Sequence, residues 1–231
     1  MNILINGGSK GMGRATALKI AEDPGYSLIV TGRDESALRS LSGAADNKNI
    51  HVMAIDTAKG AKELEGLKNH LLRESIKLDA ILNFTGLLRK SLFAEATEPE
   101  AREMFEVNFF GPVLLIREML PFMARGSHIV NIGSMGGVQG SVKFPGLSLY
   151  SASKAALASM SESLAVELAP MEISVNCLCP GAVDTDMFRI AFPGYTAPIS
   201  ADGIAQFIAE FALRGHRYFN GKILPVSRST P

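Results

Sequence analysis

Tyr150 and Lys154 bracket the stretch YSASK, four residues apart. On a helix that spacing puts both side chains on one face. A free phenol ionises near pH ~10, too high for good proton transfer at neutrality. A nearby ammonium favours the phenolate and lowers that value. The pair has the makings of a proton-transfer couple, although an amphipathic helix can also carry both residues for no chemical reason. Ser134 closes the apolar run GSHIVNIGS just before this helix. Its hydroxyl could hydrogen-bond a substrate oxygen, or simply belong to a loop.

A second chemical signal lies near the start of the chain. In INGGSKGMGRATAL, residues 5–18, Gly7, Gly8, Gly11 and Gly13 stand between a short apolar run and a helical pattern. Glycines there let the backbone turn tightly and approach phosphates, while the helix N-terminus supplies unpaired N–H groups and positive dipole character. The ligand such a turn holds is a dinucleotide pyrophosphate. The spacing Gly7-x-x-x-Gly11-x-Gly13 departs from the usual G-x-G-x-x-G, and a glycine-rich turn can serve packing alone. The rest of the chain must arbitrate.

The elements that would position these groups alternate. Strands are expected at 2–6, 26–32, 49–56, 78–84, 126–134, 172–180 and 221–227. Helices are expected at 11–23, at 34–41 with an Asp34 cap, at 59–75, as one long element at 98–123 with Pro99 in its first turn, at 149–169, and at 200–214 capped by Ser200. The strands are continuously apolar, as required when both faces are covered. This pattern gives a single α/β domain over residues 1–231: a Rossmann-type, doubly wound parallel sheet of about seven strands with helices on both faces. In such sheets ligands sit at the C-terminal strand ends, where Ser134 falls.

Composition narrows the function classes. The chain has 231 residues, 47% of them hydrophobic, and equal numbers of basic and acidic residues, 23 each. A neutral balance gives no reason to expect nucleic acid as a partner. No apolar stretch reaches membrane-spanning length, and the N-terminus lacks the basic-then-apolar pattern of a secretory signal. A cytoplasmic protein is expected. Cys177 and Cys179, in ISVNCLCP, read as buried thiols in a reducing compartment. The four scattered histidines, His51, His70, His128 and His216, offer no metal-ligand spacing, so no metal is expected.

Taken together, these motifs resemble the short-chain dehydrogenase/reductase family, over nearly the whole chain and in the right order. Gly7, Gly11 and Gly13 match its T-G-x-x-x-G-x-G loop, Asp56 the residue that contacts adenine, and NFTG at 83–86 its N-N-A-G. Asn108 matches the Asn of the long helix. Ser134, Tyr150 and Lys154 match the catalytic Ser and Y-x-x-x-K, and CPGAVDT at 179–185 matches the P-G motif and its following Thr. The resemblance implies that Tyr150 is the general acid in reduction and the base in oxidation. Lys154 would lower its pKa and hold the nicotinamide ribose, and Ser134 would steady the carbonyl. Asn108 would place a water linking Lys154 to solvent, and hydride would pass from the pro-S face of the reduced nicotinamide. The cofactor would be held by Gly7, Ser9, Lys10, Gly11, Met12, Gly13, Arg33, Asp56, Thr57, Asn83, Thr85, Gly86, Tyr150, Lys154, Pro180, Gly181, Val183 and Thr185.

Several positions depart from the family pattern. Asn6 replaces the usual Thr, and Phe84 and Thr85 replace the second Asn and the Ala, which removes the usual sheet-bracing side chains. The interval between Ser134 and Tyr150 is slightly long, the substrate-lid stretch 186–198 is short, and the end PVSRSTP lacks the usual Gly-Gly. The substrate pocket would draw on Leu87, Leu88, Met135, Val138, Phe144, Phe188 and Phe192; a short lid would suit a bulky or carrier-bound substrate. At the cofactor's 2′ position, the second strand ends IVTGRD, with Gly32 where an NAD enzyme carries an acid. Arg33 and Lys10 could instead meet a 2′-phosphate. They could also be solvated surface charges.

The expected function is an NADP(H)-dependent reductase of a ketone or aldehyde, or the reverse alcohol dehydrogenase, with NAD(H) the lesser alternative. Two other readings share the fold: a catalytically silent NADP-binding regulator, and a lyase or epimerase without net redox change. A homodimer or homotetramer is expected through the helices 98–123 and 149–169. The outer face of the second would carry Ala155, Ala158, Ser159, Ser163 and Val166.

Overall fold

The computed structural model describes residues 1–44 and 49–227; residues 228–231 of the terminal PVSRSTP stretch lie outside them. The elements in order are β1 (Asn2–Asn6), α1 (Gly11–Ala21), β2 (Ser27–Gly32), α2 (Glu35–Ala44), β3 (Ile50–Ala54), α3 (Glu65–Arg73) and β4 (Leu78–Asn83). Then come α4 (Glu98–Phe105), α5 (Gly111–Met119), β5 (Met123–Ile132), α6 (Ser148–Glu167), β6 (Ser174–Pro180) and β7 (Val183–Asp184). The series ends with α7 (Asp186–Ala191), β8 (Ile199–Ser200), α8 (Ala201–Arg214) and β9 (Ile223–Val226). Seven strands form one parallel sheet in the order β3-β2-β1-β4-β5-β6-β9. This is the expected doubly wound architecture, with its order reversing at β1–β4.

The strands are apolar throughout because each feeds two cores. Ile3 and Ile5 of β1 and Leu28 and Val30 of β2 pack with Ala17, Ile20, Leu38 and Ile208 of α1, α2 and α8. The alternate residues, Leu4 and Ile29, face the opposite way and pack with Leu67, Leu115, Ile116 and Ala165 of α3, α5 and α6. Period-two alternation thus distributes one hydrophobic run over two helical layers.

At the C-terminal strand ends the apolar pattern is broken by a row of buried polar side chains. Thr31 Oγ1 donates to Asn6 Oδ1 (3.1 Å), and Asn6 Nδ2 donates to Asn83 Oδ1 (3.2 Å). Asn83 Nδ2 donates to Asn131 Oδ1 (2.8 Å), and Asn131 Nδ2 to Ser161 Oγ (2.9 Å), which donates to the Leu157 carbonyl (2.7 Å). Register makes this possible: Asn6 lies opposite Thr31 on one side and Asn83 on the other, and Asn83 lies opposite Asn131. The bracing expected from the family's second Asn is therefore supplied by Asn6, Asn83 and Asn131 instead. Phe84 is left free to pack against the core.

Three expectations about elements need correction. The long helix at 98–123 is broken. After α4, which opens with a Thr97–Glu100 capping box and Pro99 in its first turn, residues Glu106–Phe110 form a π turn before α5. The chain then tightens into a 3₁₀ turn at Leu120–Phe122, and β5 begins at Met123, earlier than expected. Pro121 has no N–H to extend α5. The helix expected at 59–75 is two 3₁₀ turns followed by α3, because Gly60 at φ +104° interrupts it. The short lid stretch at 186–198 keeps its place and carries α7, capped by Thr185, while β8 closes a small two-stranded sheet with β7. Finally, Ala158 is not on the outer face of α6: it is buried against Cys177 and Cys179.

The lower half of β5 carries a buried histidine. His128 Nδ1 donates to the Ala212 carbonyl (3.0 Å), and Nε2 accepts from Asn176 Nδ2 (2.9 Å). Burial lowers its pKa to about 4, aided by His216 and opposed by the Ala212 bond. The folded state therefore holds the neutral ring, while an unfolded chain protonates it first. Stability from this site is complete above pH 6.5 and is lost as pH falls from there to about 4. The loss amounts to about 3 kcal/mol at ~1.4 kcal/mol per pH unit. Urea melts between pH 7.5 and 4 are expected to show this slope, and His128→Gln is expected to remove it. Equal slopes in the two proteins would contradict the assignment.

Candidate active site

The glycine turn, the ends of β2, β3 and β4, and the start of α7 surround a cleft of about 320 Å³. Its walls include Gly7, Ser9, Lys10, Gly11, Met12, Gly13, Arg33, Asp56, Thr57, Thr85, Gly86 and Thr185. The turn is as tight as glycine allows. Gly7 sits at φ +84°, and its N–H and that of Gly8 both donate to the Thr31 carbonyl (2.8 and 3.0 Å). A Cβ on Gly13 would lie 2.3 Å from the Gly7 carbonyl oxygen. The cradle thus fits a dinucleotide: bare backbone faces the cleft at the N-terminus of α1, and any side chain at Gly13 would fill the turn.

Of the other candidates, Asn83 is absorbed by the buried ladder, and Val183 packs its side chain into the core. Pro180 is buried at the end of β6, and Gly181 donates to the Val226 carbonyl (3.1 Å). Asp56 Oδ1 accepts from Ala58 N (3.2 Å), holding the turn that lines the cleft.

Lys154, Asn108, Ser134 and Tyr150 converge beside the cleft. Lys154 is 3% exposed and donates to the carbonyls of Ile132 (2.9 Å) and Thr85 (3.1 Å). Burial lowers its pKa to about 8, against the pull of nearby Cys177 and Cys179. A Cβ on Gly86 would lie 3.6 Å from its Nζ. Tyr150 is half-buried, and its phenol bonds to the Ser134 hydroxyl. Burial outweighs that bond and raises the phenol's pKa, with Cys179 adding to the rise. The Lys154 ammonium is held by two backbone carbonyls, and desolvation is the largest influence on the phenol. Ser134 Oγ also accepts from Gly136 N (3.2 Å), and Lys143 pins the following loop through the Gly136 and Val138 carbonyls (2.7 Å each).

Asn108 sits in the π turn, fully buried. Its Oδ1 accepts from Leu87 N (2.6 Å), and its Nδ2 donates to the Leu87 carbonyl and to Ser153 Oγ (2.9 Å each). Ser153 in turn donates to the Tyr150 carbonyl (2.7 Å). The amide therefore clamps the segment after β4 onto the first turn of α6. Ser153, which sequence reasoning missed, links the two; being small and polar on a helix, it carried no signal of that role. Cys177 and Cys179 are fully buried, 3.8 Å apart, and hydrogen bonding to Cys179 together with burial pushes the Cys177 thiol up.

The profile of short chain dehydrogenases matches residues 1–195. A Xenopus tropicalis protein, dehydrogenase/reductase SDR family member 7B, is 29% identical over 202 residues, 83% of this chain. The chain spans 64% of that relative's length. A short chain dehydrogenase structure from Burkholderia cenocepacia, in complex with NADP, superposes with a TM-score of 0.85 at 24% identity, covering 99% of this chain and 96% of its own. A Brucella melitensis 3-ketoacyl-(acyl-carrier-protein) reductase complexed with NADH gives 0.83 at 23% identity, with 97% and 96% covered.

Proposed function

The chain belongs to the short-chain dehydrogenase/reductase family, and from that premise we propose that it reduces a ketone or aldehyde with NADPH, Tyr150 giving the proton. The observation that carries this reading is the Tyr150 phenol, half-buried and bonded to Ser134, one helical turn before the buried Lys154. A phenol keeps its proton at neutral pH, the state an acid needs when hydride reaches a carbonyl carbon and charge develops on oxygen. The nicotinamide supplies that hydride when bound. Ser134 donates to the same oxygen. Lys154 uses two of its three N–H donors on carbonyls, leaving one for a ribose hydroxyl. Asn108 and Ser153 fix the relative position of the β4 exit and the α6 start. The reverse alcohol oxidation needs the phenolate and should gain with rising pH.

Tyr150→Phe is expected to leave folding and cofactor binding intact and to lower turnover by at least ~10²-fold. A variant retaining more than a tenth of the rate would remove Tyr150 from the acid's role. Lys154→Ala should harm rate and cofactor affinity together.

The NADPH preference rests on the end of β2. Gly32 leaves no carboxylate toward the 2′ position, and Ser9 fills the space, its Oγ 3.1 Å from where a Cβ would stand. Arg33 and Lys10 both line the cleft. Asp34, the nearest acid, caps α2 through Ala37 N (3.0 Å) and holds Lys10 at 2.8 Å; that bond sets its carboxyl well below the usual range. Arg33→Ala is expected to weaken NADPH binding by about one to two decades, as charged hydrogen bonds of roughly 1.5–3 kcal/mol imply, and to spare NADH. Equal wild-type kcat/KM for both cofactors would refute the preference.

The same reading includes a homodimer or homotetramer in a reducing, cytoplasmic setting, which suits the paired free thiols. Ser159, Ser163 and Val166 remain exposed on α6 and allow close helix approach. Light scattering at micromolar concentration should give at least twice the 24.7 kDa of one chain; a monomeric mass would exclude it.

A further inference from the structure

The stretch between Ser134 and Tyr150 is longer than the family pattern, yet its ends meet, since the Tyr150 phenol bonds to the Ser134 hydroxyl. Added chain between two groups that must meet raises the entropic cost of holding them together, unless something folds the chain back. Here two side chains of the stretch do so. Ser141 Oγ donates to the Met135 carbonyl (2.6 Å). Lys143 Nζ donates to the Gly136 and Val138 carbonyls (2.7 Å each) and to Ser141 Oγ (2.9 Å). All three ammonium protons are thereby used on one loop. Beyond Lys143 the loop opens to solvent, with Phe144 51% exposed.

What this knot holds is the turn that carries the serine. Gly137 lies between the two carbonyls that Lys143 grips. It sits so close to α6 that a Cβ on it would stand 2.8 Å from both the Ala155 nitrogen and the Lys154 carbonyl carbon. Its N–H donates to the Ser134 carbonyl (2.9 Å). Gly136 approaches α6 as well: a Cβ there would lie 3.0 Å from Ser151 Oγ. The Gly136 N–H donates to Ser134 Oγ (3.2 Å). That bond fills one lone pair of the hydroxyl and leaves its single proton for Tyr150 or a substrate oxygen. Lifting this turn off α6 would therefore move Ser134 away from Tyr150 and turn its proton aside. We propose that Lys143 is a positioning residue for carbonyl reduction: its ammonium keeps Gly137 seated on α6 and Ser134 in place against Tyr150. The proposal rests on the reading of the protein as a carbonyl reductase.

The test compares Lys143→Met, which keeps the stem and loses the donors, with Lys143→Arg, which keeps donors at similar reach. The substrates are benzaldehydes, cyclic ketones and 3-oxo esters, with NADPH. Lys143→Met is expected to lower kcat about tenfold, because small misplacements of reacting groups cost rate. KM and NADPH affinity should stay within about twofold, and Lys143→Arg should recover at least half the rate. In a Ser134→Ala background, Lys143→Met should cost less than a further twofold, since both changes act through one hydroxyl. Losses that multiply in the double variant, a loss confined to KM, or a Lys143→Met kcat within twofold of wild type would each overturn the proposal. Hydrogen exchange at the Gly136 and Gly137 amides reads the knot without turnover. Exchange there is expected to quicken about tenfold in Lys143→Met and to return to normal in Lys143→Arg. Unchanged exchange would refute the knot whatever the turnover. Quickened exchange in a protein that reduces none of the carbonyls would uphold the knot and refute the reductase reading.

Discussion

The arrangement of the whole site depends on one directional chain of buried hydrogen bonds. It runs from Thr31 through Asn6, Asn83 and Asn131 to Ser161 and the Leu157 carbonyl. Each amide donates with its nitrogen to the next and accepts with its oxygen from the one before, so no member can flip alone. Such a chain polarises along its length, and a break leaves several buried groups unpaired at once. It also ties β2, β1, β4 and β5 to α6 at the level where the chain leaves the sheet. Everything chemical hangs just above it: the glycine turn follows Asn6, the Thr85–Gly86 exit follows Asn83, Ser134 follows Asn131, and Lys154 lies two helical turns before Ser161.

The site above this brace is governed by desolvation rather than by the pairing of charges. Lys154 and Tyr150 are four apart on α6, yet the ammonium is held by the Thr85 and Ile132 carbonyls. Burial moves the two groups in opposite directions, the lysine down to about 8 and the phenol up. The shifts part the two groups and leave the phenol protonated at neutrality. Cys179 adds to the rise of the phenol, whereas Cys177 and Cys179 together pull the lysine back up.

Much of this was legible in the residues. The alternating apolar runs gave the seven strands and their layers, because period-two burial on both faces leaves a distinctive continuous pattern. The glycine turn, Ser134, Tyr150 and Lys154 stood out by type and spacing. What could not be read were features set by partners distant in the chain. The ladder needs the registers of four strands, which no local pattern encodes. Asn108's clamp on Leu87 needs the π turn, and nothing in EVNFFGP announces one. The direction of the Tyr150 shift follows from packing around α6, and the burial of Ala158 from β6 lying beneath it. Gly60 and Pro121 were visible breakers, but their effect on flanking helices depended on where the chain had to go next.

The π turn between α4 and α5 has a consequence for how this chain can change over time. An α-helix advances 100° per residue, and a π turn accommodates one residue beyond the helical count. The turn takes up that extra residue locally, but deleting a residue of α4 or α5 outside it would swing everything on one side by that angle. Gly111, whose Cβ would stand 2.7 Å from Thr57 Oγ1, would then present another residue to that contact, and Asn108 would leave Leu87. Length variation is cheap in the exposed loops around Phe144 and Tyr195, where chain can be added without moving a packed element. Within residues 98–122 it is not. Descendants of this sequence should therefore diverge in size around the substrate mouth while keeping the residue count of this broken helix fixed.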